Sequence, residues 1–306
     1  MALRALILGT AAGGGLPQWN CNGPNSATFW RGAAPLTLAT QSSLAVSGNG
    51  SDWALLNCSP DIRQQIIQTP ALHPRAERGM RDTPIHSILL TNGDIDHIAG
   101  LLILREKQAY RLVMTAEIAR VIAENPIFNA LDPDFVSREV VGLETPFQLA
   151  PGITATLFAV PGKVPLFMEG AHGGDAVQTD LMGEQTVGVA LSDGDKTAYY
   201  VPGCARMVPE LAERIRGAAL LFFDGTLWQD DEMIQQGVGV KTGNRMGHMS
   251  MSGPDGSMAL LADLEIRRKI YVHINNTNPV WRDGPERAEA HANGWEIGHD
   301  GMEVSL

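Results

Sequence analysis

A layered α/β fold is what this chain predicts, on three features of its sequence. Short apolar runs that stop abruptly in polar or glycine turns recur along the length, among them Leu3 to Leu8, Ile88 to Leu90, Ala218 to Phe223 and Lys269 to Ile274, as buried strands do. Segments with apolar residues at helical spacing lie between them, such as Ala116 to Glu124 and Pro209 to Ile215. No Pro/Gly/Ser linker, charge run or internal repeat divides the 306 residues, and a hydrophobic content of 44% can bury a sizeable core, so residues 1–306 are expected to form one domain.

In order, the first strand, Leu3 to Leu8, runs into the glycine-rich loop Gly9 to Pro17. Leu16-Pro17-Gln18-Trp19 does not open a helix whose N-terminus could hold phosphate, which argues against a nucleotide-binding loop. Cys21 follows with Asn22 and Asn25 nearby; one thiolate cannot close a tetrahedral structural site, so no zinc is expected there. Trp53 to Asn57 reads as a strand turning at Cys58-Ser59-Pro60 into a helix with Ile62, Ile66 and Ile67 on its apolar positions. His73 is expected to be exposed, and His86 to be a structural member of the next strand. The helix Ala116 to Glu124 is stopped by Asn125-Pro126, and the region from there to Glu144 is ambiguous.

Strand patterns return at Ile153 to Val160, Thr186 to Leu191 and Ala198 to Val201, the last two joined by the hairpin signal Asp193-Gly194-Asp195. The glycine-bearing loop between the first two, with Glu169, His172, Asp175 and Asp180, reads as a surface loop. After the helix Pro209 to Ile215, the strand Ala218 to Phe223 delivers Asp224 to its C-terminal end, where open sheets place ligand clefts. A helix from Met258 to Leu264, a strand reaching His273, a helix from Pro285 to Ala292 and a strand at Trp295 to Ile297 complete the chain, with His291, His299, Asp300 and Glu303 read as surface.

The stretch from Ile85 to Leu102 carries the chemistry. A buried strand ends at Thr91-Asn92-Gly93, Asp94, Asp96 and His97 follow, and Ile98, Leu101, Leu102 and Leu104 then take up helical spacing. Carboxylate and imidazole are both divalent-metal ligands, and two aspartates beside one histidine repel unless a cation sits between them. In isolation the pattern would be an Asx-type cap with a solvated histidine, and His273 would be a core histidine with its hydrogen bonds satisfied. The loop Lys241 to Ser250 is either a basic surface loop or one that turns His248 toward a metal pocket and Lys241 or Arg245 toward substrate carboxylates.

A net charge of −11 disfavours a polyanionic partner, and no basic cluster with interleaved aromatics supports nucleic-acid binding. The apolar start is broken by Gly9 too early for a secretory core, and no run is long enough to span a membrane. Three widely spaced cysteines argue against a disulfide framework and for a reducing compartment, so a cytoplasmic protein is expected.

With Asn92, Asp94, Asp96 and His97 in frame, the stretch resembles the H-x-H-x-D-H signature of the metallo-β-lactamase superfamily, Asn92 and Asp94 standing at its first two histidine positions. Within that superfamily, Thr91 to Leu102, Phe223-Asp224-Gly225-Thr226-Leu227-Trp228, the Lys241 to His248 loop and His273-Ile274-Asn275-Asn276-Thr277-Asn278-Pro279 resemble the coenzyme PQQ synthesis protein B group. The resemblance implies an αββα sandwich, two mixed β-sheets with helices on the outer faces, and a site along one sheet edge. It implies metal ligands at His97, His273 and one carboxylate, Asp96 or Asp94, with His172 in a region that often supplies a further one. It gives Asp224 and His248 roles in positioning substrate or relaying protons, and puts Lys241, Arg245, Asn92 and Asn276 against the substrate.

Two histidines and one carboxylate with open positions suit non-haem Fe(II) and O2, although manganese or zinc could occupy the same ligands. The function implied is hydroxylation of the tyrosine ring of a Glu-Tyr-derived precursor of pyrroloquinoline quinone (PQQ), with other proteins of that pathway as partners. The alternatives are a carrier of PQQ or its precursor, and a metal-dependent hydrolase of the superfamily.

Overall fold

The structure is a computed structural model that describes residues 2–32, 36–169 and 178–306. Its strands in chain order are β1 (Arg4–Gly9), β2 (Ser43–Ser47), β3 (Trp53–Leu56), β4 (Ile85–Leu89), β5 (Tyr110–Met114), β6 (Val136–Val140), β7 (Phe147–Ala150), β8 (Ile153–Ala159), β9 (Val187–Ser192), β10 (Thr197–Val201), β11 (Leu220–Asp224), β12 (Lys269–Val272), β13 (Trp295–Ile297) and β14 (Glu303–Ser305). They form two seven-stranded sheets, ordered β14-β1-β2-β3-β4-β5-β6 and β13-β12-β11-β10-β9-β8-β7. Both are mixed. β1, β2 and β3 pair antiparallel and β3 to β6 parallel, while β7 to β10 pair antiparallel and β10 to β13 parallel.

Strand alternation sorts the side chains into three layers. From β1, Ala5 and Ile7 enter the core shared by the two sheets, and from β11 Leu220 and Phe222 meet them there. The alternate residues point outward: Leu6 and Leu8 join Ile62, Ile118 and Ile122 under the helices of the first sheet, while Leu221 and Phe223 join Leu211, Ile215 and Met258 under those of the second. Helix, sheet, sheet, helix is therefore the αββα sandwich expected. Strands buried on both faces explain why β11 and the end of β4, from Ile88, read as continuous apolar runs.

The ambiguous region before Glu144 holds a short 3-10 turn, Pro126–Ala130, and the edge strand β6. Val136 is the one fully buried side chain of β6, so it carries no apolar run to read. The helix expected at Met258 to Leu264 spans only Ser257–Leu260, and the Lys241 to Ser250 loop contains a helical turn, Gly243–Met246, capped by the Thr242 hydroxyl. Asp300 is not a surface acid: it accepts hydrogen bonds from Thr10 N at 2.9 Å and from Thr40 N and Oγ1, each at 2.7 Å, and so staples the first loop to the chain's end. No helix among the described residues is long and apolar enough to cross a membrane.

Candidate metal centre

The loops leaving β4, β11 and β12 converge on one cleft of about 340 Å³, lined among others by Asn92, Asp94, Asp96, His97, Lys163, Lys241, His248 and His273. The turn after β4 is held before it reaches the cleft. Asn57, at the end of β3 with φ 65°, accepts from Thr91 N through Oδ1 at 2.9 Å and donates through Nδ2 to Thr91 Oγ1 at 2.9 Å. Asp94 then opens the helical turn Ile95–Ile98. Gly100 lets that turn lie against the β3 loop, since a Cβ there would stand 2.1 Å from the carbonyl oxygen of Ser59.

Asn92, expected to meet substrate, lines the cleft, and its Oδ1 accepts from Asp94 N at 3.0 Å and from His97 Nδ1 at 2.7 Å. An amide oxygen only accepts, so the His97 proton sits on Nδ1 and Nε2 is left with a bare lone pair. That Nε2 is buried without a hydrogen-bond partner among the described residues, and it faces Asp96 Oδ2 at 3.8 Å. Two acceptors facing each other with no donor between them leave room for a cation.

His273 follows β12 in the left-handed region, φ 56°, a conformation uncommon outside glycine and concentrated at functional sites. Its Nε2 stands 3.1 Å from Asp96 Oδ2, and its ring lies 5.3 Å from that of His97. Asp96, His97 and His273 thus each offer a ligand atom, all within 4.8 Å of one another. Asp94 is not part of that group; its Oδ1 accepts from Leu166 N at 3.2 Å, on the far wall of the cleft, so of the two candidate carboxylates Asp96 is the one that meets both imidazoles.

The electrostatics follow from this packing. Burial pulls His97 down to about 4 against the attraction of Asp96, which keeps its imidazole neutral. Burial would also lower His273, but its bond to Asp96, with Asp224 and Asp94 behind, holds it above the ordinary histidine value. Burial would raise Asp96, yet His97 and His273 keep it well below the usual carboxylate range, while burial leaves Asp94 raised.

Asp224 lies fully buried behind the cleft rather than in it. Its Oδ2 accepts from Cys204 N at 2.9 Å and His248 Nδ1 at 2.7 Å; its Oδ1 accepts from Thr226 N at 3.0 Å and Thr226 Oγ1 at 2.6 Å. It is therefore held off the cleft, which it reaches only through its bond to His248, whose ring stacks on His273 at 5.0 Å.

The cations are arranged differently from the expectation. Glu169, read as a surface-loop residue, has a side chain only 5% exposed and takes Lys163 at 3.1 Å, Arg245 at 3.0 Å and Lys241 at 3.7 Å. Burial alone would raise it, but Arg245 and the two lysines hold its carboxyl at about 2. Arg245 is spent on that anion and does not line the cleft, whereas Lys241 and the unforeseen Lys163 do. Three cations therefore surround one carboxylate beside a cleft whose own lining carries Lys163 and Lys241 together with Asp94 and Asp96.

Asn276 lies outside the cleft as well. It bonds Gln18 and carries Oδ1 3.7 Å from Cys21 Sγ, in a neighbouring cavity of about 570 Å³ that shares Gln18, Met233 and Asn275 with the cleft. The cysteines Cys21, Cys58 and Cys204 are all buried and unpaired. His172 and Asp175 fall outside the described residues. Sequence reasoning missed Thr226, whose place directly after Asp224-Gly225 looked like turn chemistry, and Lys163, which carried no pattern.

A family model described as beta-lactamase superfamily domain matches residues 52–274. The coenzyme PQQ synthesis protein B of Ruegeria pomeroyi is 56% identical over 305 residues, covering 99% of this chain and 100% of that protein, and that of Rhizobium meliloti is 54% identical over 304 residues, covering 99% and 98%. A crystal structure of Zn(2+)-bound PqqB from Methylobacterium extorquens superposes with a TM-score of 0.95 at 50% identity, covering 99% of this chain and 100% of that one. A diphosphatase of the PhnP family shares the fold alone, with a TM-score of 0.68 at 18% identity. Full-length identity above one half, on a sandwich whose cleft gathers the signature's own Asp96 and His97 with His273, places this chain in the coenzyme PQQ synthesis protein B family of the metallo-β-lactamase superfamily.

Proposed function

We propose that this chain serves PQQ biosynthesis as a non-haem iron-dependent, O2-using hydroxylase of the tyrosine ring of a Glu-Tyr-derived precursor, with Asp96, His97 and His273 as the metal ligands. One observation carries the reading: two imidazoles and one carboxylate share a volume at a cleft wall where His97 Nε2 has no partner among the described residues. Fe(II) on such a face keeps coordination positions free and supplies redox chemistry with O2. The names of the relatives support the pathway, and the name of the zinc-bound one supports a divalent ion.

The chain's own residues do the rest. Lys163 and Lys241 at the rim attract the carboxylates of a glutamate-derived substrate, and the cleft's size suits a small peptide-derived molecule. His248 donates a hydrogen bond from Nδ1 to Asp224, so its Nε2 is free to take the phenolic proton of the ring. Carried through to the ortho-quinone, the reaction balances without an outside reductant: phenol plus O2 gives ortho-quinone plus water. Stopping at the catechol requires a two-electron reductant. A reducing, cytoplasmic setting suits three buried thiols.

The test is anaerobic loading with Fe(II), followed by air and a Glu-Tyr-type compound. The expected product has gained one oxygen atom from isotopically labelled O2, and it disappears in His273→Ala. The zinc-loaded protein, holding the same ligands without redox capacity, is expected to leave the ring untouched. Unchanged substrate on a fully iron-loaded chain overturns the proposal; tight PQQ binding without O2 consumption would favour a carrier, and phosphodiester cleavage by the zinc form a hydrolase.

A further inference from the structure

A second group of candidate ligands lies beside the first: Asp224, His248 and His273 also bring one ligand atom each within 4.8 Å of one another. The space among them is already taken. Thr226 Oγ1 stands 2.6 Å from Asp224 Oδ1, 2.8 Å from His273 Nδ1 and 3.1 Å from His248 Nδ1, and it is 2.9 Å from the His273 carbonyl oxygen. Thr226 is 2% exposed, so no solvent competes for these contacts.

The hydroxyl has one proton and two lone pairs, and the neighbours decide how they are used. Asp224 can only accept, and at 2.6 Å it is the nearest partner, so Thr226 donates to it. His273 Nδ1 must then donate to Thr226, so Nδ1 keeps its proton, and the Nε2 proton that now meets Asp96 at 3.1 Å is the one an ion would displace. The contact to the His273 carbonyl oxygen lies beside the left-handed turn, so the hydroxyl sits against backbone and ring together.

We propose that Thr226 is the positioning residue of this centre: its hydroxyl links the buried Asp224 to His273, aims His273 Nε2 at the ion site, and occupies the place a second ion would need, so that the cleft holds one ion. The inference rests on the reading of Asp96, His97 and His273 as ligands. It concerns binding and not turnover, so metal affinity is its readout.

The experiment is a Co(II) titration of the full chain, followed by visible absorption, on the wild type and on Thr226→Val, Thr226→Ser and His97→Ala. Valine keeps the volume and removes the hydroxyl. Affinity in Thr226→Val is expected to fall by roughly tenfold to a hundredfold, the cost of losing a group that orients a ligand. Thr226→Ser is expected to restore the wild-type affinity and spectrum, which a merely space-filling role would not require, and the wild type to saturate at one equivalent in the cleft. Wild-type affinity in a folded Thr226→Val overturns the inference alone, as does a second equivalent that vanishes in Asp224→Asn. Wild-type affinity in His97→Ala overturns the ligand reading beneath it.

Discussion

Replacing His97 or His273 by alanine is expected to abolish divalent-metal uptake in the cleft, with affinity falling by more than roughly a hundredfold, beyond the range seen when only an orienting neighbour of a ligand is lost. Each imidazole supplies a nitrogen that nothing else in the group replaces, since the third member is a single carboxylate. Asp96→Ala should fall in the same class. Asp94→Ala should not: Asp94 lines the cleft but is tied to Leu166 N, so its removal is expected to change affinity far less. Competition with a chromophoric chelator, run on all four variants, separates these outcomes, and equal losses for Asp94→Ala and Asp96→Ala would contradict the assignment.

The second large effect is on stability. Asp224→Ala strands Cys204 N, Thr226 N, Thr226 Oγ1 and His248 Nδ1, four donors that the carboxylate now satisfies in a fully buried position. Removing the anion at the centre of such a network is expected to cost about 3–5 kcal/mol, because buried donors are left without acceptors. Urea unfolding of the metal-free protein measures it. Burial would raise Asp224, but the pull and hydrogen bond of His248 hold it below the ordinary carboxylate value. A carboxyl lowered in the folded state gives stability that is present above its unfolded value and lost as pH falls through its folded one. The difference between wild type and Asp224→Ala should accordingly narrow only at strongly acidic pH.

What could be read from the sequence, and what could not, follows the range of the interactions. His97 and Asp96 were legible because strand end, acidic turn and helical turn are neighbours in the chain, and the exposed and buried faces of that segment show in its spacing. Helices such as Pro209–Ile215 and Pro285–Ala292 appear where their proline starts and apolar spacing put them.

The contact of Asp96 with His273 spans 177 positions and is fixed by which strands sit side by side in the two sheets, so only the family resemblance linked them. Asp224 was read as a cleft residue from its place at the end of a strand, but the fold turns it onto Cys204, Thr226 and His248 behind the cleft, while Asn92 lines the cleft and also holds His97. Glu169 and Arg245 show the same limit. Each has a charge that suits solvent or substrate, and whether it meets one or its opposite number depends on loop packing that no local pattern encodes.

The proposed chemistry needs one divalent ion held by Asp96, His97 and His273. Anomalous scattering at the iron edge from crystals of the Fe(II)-loaded chain tests this most directly. A single peak in the cleft, bonded to Asp96, His97 Nε2 and His273 Nε2, is the result expected; a cleft with no peak, or an ion held by Asp224 and His248 instead, would contradict it.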